Sequence, residues 1–174
     1  MKKIITIVLI ILLSFPSVAN AASGKVYTCK ITSSYSNPTT GQIEDSGGQS
    51  SSTTGQSMVE GCLADTGILE VTDENKYYLS FRLGLMDYTT NRKFQVQNVG
   101  DSSWKEVKST ITKKGSDNNG ANADICLEVP SENCLVKVSM YVTSMGRDVV
   151  FFLYPSDYKS ENTNNFNSTM MTTQ

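Results

Sequence analysis

The feature that most constrains this chain is a repeated period of two. In "KYYLSFRLGL", Tyr77, Leu79, Phe81, Leu83 and Leu85 fall on one face, and Ser80, Arg82 and Gly84 on the other. A half-buried strand satisfies that alternation, and a helix with its 3.6-residue period does not. Similar patterning runs through "KVYTCKI", "ILEVT", "KFQVQNV", "EVKSTIT", "ADICLEV" and "CLVKVSMYVT". Between them lie "GDSSW", "KKGSDNNGAN" and "PSEN", rich in residues that favour turns. Short strands at regular spacing, with no amphipathic helical pattern of useful length, predict an all-β sandwich or barrel.

The two ends of the chain stand outside that pattern. Lys2 and Lys3 precede the apolar run "IITIVLIILLSF", and "PSVANAAS" then places Ala19 and Ala21 as an A-x-A cleavage site. Residues 1–21 therefore read as a secretory signal peptide. No cysteine follows the cleavage site, so a lipid-modified N-terminus is not expected. Residues 22–158 read as one domain, able to bury roughly two-thirds of its unfolded surface. Residues 159–174 lack apolar periodicity and read as a polar, flexible tail. The net charge is −2 and neither sign forms a block, which excludes the electrostatic footprint of a nucleic-acid binder. No second apolar stretch approaches the roughly 20 residues of a membrane span, so a soluble mature protein is expected.

Four cysteines in an exported chain make disulfides plausible, with Cys126–Cys134 across an expected hairpin corner and Cys29–Cys62 as the favoured pairs. Zinc is disfavoured, because there is no C-x-x-C and no histidine. The absence of histidine also removes the commonest general base and every Ser-His or Cys-His pair, so an enzyme is not expected.

Three features break the sandwich pattern. In "GQSMVEG", Ser57 and Glu60 match a capping box and Gly61 follows, predicting a single helical turn that presents Met58. The last strand, "DVVFFLY", carries Val149, Phe151 and Leu153 on one face and Val150, Phe152 and Tyr154 on the other, so both faces are apolar and the outer one needs a cover. Met145 sits beside Gly146 at a hairpin tip, where turn chemistry does not ask for methionine. A thioether is a soft, neutral donor suited to copper(I) or haem iron. The plainer reading makes each methionine core filler, as expected of Met86 and of Met140, which keeps register with Val136, Val138 and Val142. Spacing alone leaves both readings open, together with a copper(I) carrier and an immunoglobulin-like adhesion module without cofactor.

The stretches "NPTTGQIEDSGG", "GQSMVEG", "FRLGLMDY", "TKKGSDNNG" and "SMGRDVVFFL", in this order, resemble the haem-binding domain of the streptococcal Shp family of cell-surface haem-binding proteins. The likeness runs from about Val26 to about Tyr158, and "GQIEDSGG" and "MGRDVVF" are its most specific pieces. The resemblance implies an immunoglobulin-like β-sandwich related to NEAT domains, with haem between a short helical segment and a hairpin. It implies two axial methionines, at the positions of Met58 and Met145. It further implies a secreted or cell-surface protein of a Gram-positive bacterium that takes haem from an upstream receptor and passes it to the lipoprotein of an ABC importer. The tyrosine motif of other NEAT domains is absent, since "NCLVKVSMYV" has Cys134 and Val138 at the matching places. The family's long anchored C-terminal region is also not seen in this sequence, which leaves a diffusible haem carrier open beside a cell-attached one. Candidate slot residues are Val59, Val150 and Phe152, with Arg147 and the N–H groups at Ser57 as partners for the haem propionates.

Overall fold

Each alternating segment forms a strand in the computed structural model, which describes residues 24–160, except that "EVKSTIT" is divided at Lys108 between two short strands at opposite edges of the sheet. The strands are β1 (Gly24–Ser34), β2 (Leu63–Thr72), β3 (Tyr77–Leu83), β4 (Thr89–Asn98), β5 (Lys105–Val107), β6 (Ser109–Asp117), β7 (Gly120–Val129), β8 (Cys134–Val142) and β9 (Arg147–Ser160). The expected leader, and the expected tail from residue 161 onward, lie outside the described residues.

All neighbours pair antiparallel in one continuous nine-stranded sheet, in the order β5-β4-β8-β9-β1-β2-β3-β7-β6. The sheet curls until its halves face one another. The rings of Phe81 on β3 and Phe94 on β4, strands far apart in that order, meet edge to face at 6.1 Å. β1 lies at the centre of the order, and its pairing with β9 shifts register between Thr28 and Lys30. Such a bulge bends a strand and adds twist, here where the halves join. The result is an all-β, sandwich-like fold. Leu79, Phe81 and Leu83 from one half enclose the core with Val136, Val138, Phe151 and Leu153 from the other, all at 0% exposure.

The cysteines depart from expectation: all four are free. "PSEN" is not a hairpin corner, because β7 pairs with β3 and β6 while β8 pairs with β4 and β9. Cys126 and Cys134 thus lie on opposite halves of the sheet. Cys29 faces Gly67 in register, not Cys62. Cys29, Cys62 and Cys134 serve as small apolar core groups, and burial pushes their thiols up to about 12.

The outer face of β9 does find its cover within the chain. Trp104, from the β4–β5 connection, packs on Phe152 with ring centroids 5.8 Å apart. The Lys137 ammonium lies 4.6 Å from the Trp104 ring centroid and pairs with Glu44 at 3.2 Å. Stem, ring and ion pair together cover that face over Phe152, while Val150 and Tyr154 stay partly exposed.

Candidate functional site

The segment expected to form one turn is a full helix, α1 (Ser52–Cys62), entered through a 3-10 turn over Gln49–Ser51. Ser57 is not its cap. It lies mid-helix, with its Oγ donating to the Thr53 carbonyl at 3.1 Å, and Gly61 falls inside the helix. Local propensity does not explain this extent, because threonine and glycine are poor helix formers and the N-cap Ser51 makes no side-chain bond. A tertiary seat does. Gly55 rests on the Tyr35 ring so closely that a Cβ there would stand 2.6 Å from ring carbons. The Tyr35 N–H donates to Gln56 Oε1 at 2.8 Å, and Gln56 Nε2 donates to the Ser33 carbonyl at 3.1 Å. The end of β1 is therefore the platform on which α1 stands.

Met145 occupies the turn between β8 and β9. The Val142 carbonyl accepts from the N–H of Met145 at 3.1 Å and of Gly146 at 2.9 Å, and Gly146 takes φ +65°, which glycine adopts without strain. The loop after β3 forms a further wall that sequence reasoning missed. Leu85 holds a left-handed φ of 55° and leads into a 3-10 turn over Met86–Tyr88. The loop is pinned twice. Arg92 Nη2 donates to the Met86 carbonyl at 2.8 Å, and the Tyr88 carbonyl accepts from the N–H and Oγ1 of Thr143 at 2.9 and 3.0 Å. Such bonds hold a conformation that is costly for leucine.

These walls enclose a cavity of 380 Å³ at one end of the core. α1 contributes Met58, Val59 and Cys62, the turn Met145, and the loop Leu85 and Tyr88. Met140, Val149 and Phe151 form its floor. Met58 is 44% and Met145 38% exposed, whereas Met140 is 5% exposed and continues the core. Two methionines from separate elements thus stand at the open part of one apolar cavity.

The other expected site residues divide. Val59 and Arg147 line the cavity. Ser57, Val150 and Phe152 do not, and the reason for the last two is the alternation of β9. Val149 and Phe151 face the core and the cavity, so Val150 and Phe152 lie on the opposite face, where Phe152 meets Trp104. The slot is the open end of the core, not the outer surface of β9. The start of α1 lines the cavity through Ser51 and Thr54, whereas Ser57 does not.

Charge is organised beside the cavity by Asp45, from the connection between β1 and α1. Its Oδ1 accepts from the Tyr35 hydroxyl and from the Gly47 N–H at 2.9 Å. Its Oδ2 accepts from Arg147 Nη1 at 2.9 Å and from the Val150 N–H at 3.0 Å. Burial opposes ionisation of this carboxyl, but the bonds from Arg147, Tyr35, Gly47 and Val150 outweigh it and hold the group at about 2. Arg147 also donates to Ser46 Oγ at 3.1 Å and to the Asp148 carbonyl at 2.9 Å, so its ion pair is with Asp45 and not with the Asp148 side chain.

Taken together, a curled antiparallel sheet with an apolar cavity at one end, roofed by a short helix and rimmed by two thioethers, defines a β-sandwich binding domain for an apolar ligand. The profile of the family described as cell surface heme-binding protein Shp matches residues 23–171, and the chain belongs to that family. No curated protein matches the chain. The protein is accordingly an extracellular haem-binding protein of the cell surface, from a family that is not one of enzymes, and haem is its ligand. The structure fits that ligand on its own terms, with a volume inside the roughly 300–1,000 Å³ range of small-ligand sites and an apolar lining with a few polar groups. Among the described residues no helix is long and apolar enough to cross a membrane.

Proposed function

We propose that the protein is a haem carrier that holds iron between Met58 and Met145 and passes haem from an upstream surface receptor to the lipoprotein of an ABC importer. The observation that carries this reading is that these two methionines, from a helix and a hairpin, line the same cavity while remaining 44% and 38% exposed. Exposure of that size argues against the core-filling role usual for methionine. Histidine, the commoner haem ligand, is absent from the chain.

Two neutral thioethers favour ferrous iron relative to an anionic ligand such as tyrosinate. They are also weak enough on ferric iron to be replaced one at a time by donors from the next protein, which suits a relay better than a store. Arg147, which lines the cavity, is the group suited to a carboxylate on the ligand.

The test is a haemin titration of the mature domain, oxidised and reduced, followed by absorption alongside Met58→Ala and Met145→Ala. Stoichiometric uptake with a low-spin spectrum that changes in both variants supports the reading. A parent-like spectrum in both variants moves the ligands elsewhere. Haem transfer to importer lipoproteins, followed by the same bands, tests the relay.

A further inference from the structure

Asp45 sits where haem binding alone does not call for a carboxylate. Its side chain is fully buried, at 0% exposure, and it does not line the cavity. A buried carboxylate is costly unless every lone pair is used, so what it holds in place is informative. Its two oxygens serve different walls. Oδ2 takes the hairpin side, through Arg147 and the Val150 N–H, within a few residues of Met145. Oδ1 takes the helix side, through the hydroxyl of Tyr35, whose ring is the seat of Gly55, one turn before Met58. The two most specific stretches of the sequence, "GQIEDSGG" and "MGRDVVF", thus meet at one carboxylate.

The geometry points to Asp45 as a positioning residue that sets the spacing between the Met58 and Met145 walls, and hence whether one iron meets both sulfurs. The inference rests on the two-thioether reading. A ligand reaching only one wall gives five-coordinate, high-spin iron, so the spacing is readable in a spectrum that mere loss of stability does not alter.

The matched control lies elsewhere in the sheet. Asp124 is also buried, with its side chain 4% exposed, and pairs with Arg82 at 2.8 Å, but neither residue lines the cavity. Asp45→Asn, Tyr35→Phe and Asp124→Asn would be compared in the whole mature chain for melting temperature without haem, for the spectrum with haem, and for the rate of haem release to excess apoglobin. The expected result is that Asp45→Asn gains high-spin character and releases haem roughly 10- to 100-fold faster, the usual consequence of losing a group that orients a ligand. Asp124→Asn should lose melting temperature and keep the parent spectrum and release rate. Joined to Met145→Ala, Asp45→Asn should add little further to release, because both act on the same bond. Should Asp45→Asn fail to fold, Tyr35→Phe, which removes only the hydroxyl bond, should still show the spectral change in smaller measure. Parent-like spectra and release in both Asp45→Asn and Tyr35→Phe overturn the inference. Parent-like spectra in Met58→Ala and Met145→Ala overturn the ligand reading itself, and this inference with it.

Discussion

The two faces of β9 carry nearly the same side chains and have opposite fates. Val150 and Phe152 look outward, and Trp104 fills the space over Phe152. Val149 and Phe151 look inward, and at their end of the core the space is left open, because α1 is held off by the Tyr35 ring and the hairpin by Asp45. The difference does not lie in β9. An apolar alternation asks to be covered, and only the elements opposite it decide whether the cover is a side chain or a ligand.

The largest test of that contrast is a matched pair. Phe151→Ala and Phe152→Ala each remove a ring at 0% exposure and should each lose roughly 3–5 kcal/mol in urea unfolding. Only Phe151→Ala should also shift the haem spectrum; an equal shift from Phe152→Ala would show that the two faces are not independent.

Acid comes next. The Asp45 carboxyl is held at about 2 against an ordinary 3.8, so the folded-state value is depressed. Its stabilisation is therefore present above about pH 4 and is lost as pH falls through about 2, an effect of about 2 kcal/mol. Unfolding of the parent and of Asp45→Asn, compared at pH 5 and at pH 2, should show their difference shrinking toward zero.

A smaller effect is expected at the seat of the helix. Gly55→Ala places a Cβ 2.6 Å from the Tyr35 ring. Overpacking costs about 1–3 kcal/mol and better helix propensity returns about 1, so the net loss should be about 1 kcal/mol. The haem spectrum should move more than the melting temperature, since the helix is displaced from its platform; an unmoved spectrum would mean that α1 does not set the slot.

The smallest change in stability belongs to the rim. Met58→Ala and Met145→Ala alter side chains 44% and 38% exposed and should stay within about 0.5 kcal/mol of the parent in the absence of haem. A loss above about 2 kcal/mol at either would return that methionine to the core.

The strands were legible because period-two patterning is a local property of residues such as Tyr77, Leu79 and Phe81, and it survived folding intact. Met145 stood out because a turn is an odd place for a thioether; Met58 stood out as the first residue of an expected single turn, and although it lies inside α1 it lines the same cavity. The length of α1 was not, since Thr53, Thr54 and Gly55 argue against a helix until the Tyr35 ring, some twenty residues earlier in sequence, is placed beneath them. Asp45 was invisible for the same reason: a Gly/Ser-rich stretch gives no sign that a hydroxyl, an arginine and two N–H groups will converge on it. Leu85 continued the strand pattern on paper and left it in space, because its backbone turns left-handed. "PSEN" looked like a hairpin and is a crossing between the two halves of the sheet, a distinction that depends on strand order alone.

The open rim carries one more consequence, for chemical wear. A methionine 44% or 38% exposed meets a dissolved oxidant before Met140, at 5%, does. Conversion to sulfoxide replaces a soft donor with a hard, polar one. Peptide mapping after mild peroxide should find Met58 and Met145 modified ahead of Met140, with haem uptake declining in step while the melting temperature holds. On the two-methionine reading, the working life of the site is then set by its rim and is separate from the endurance of the fold.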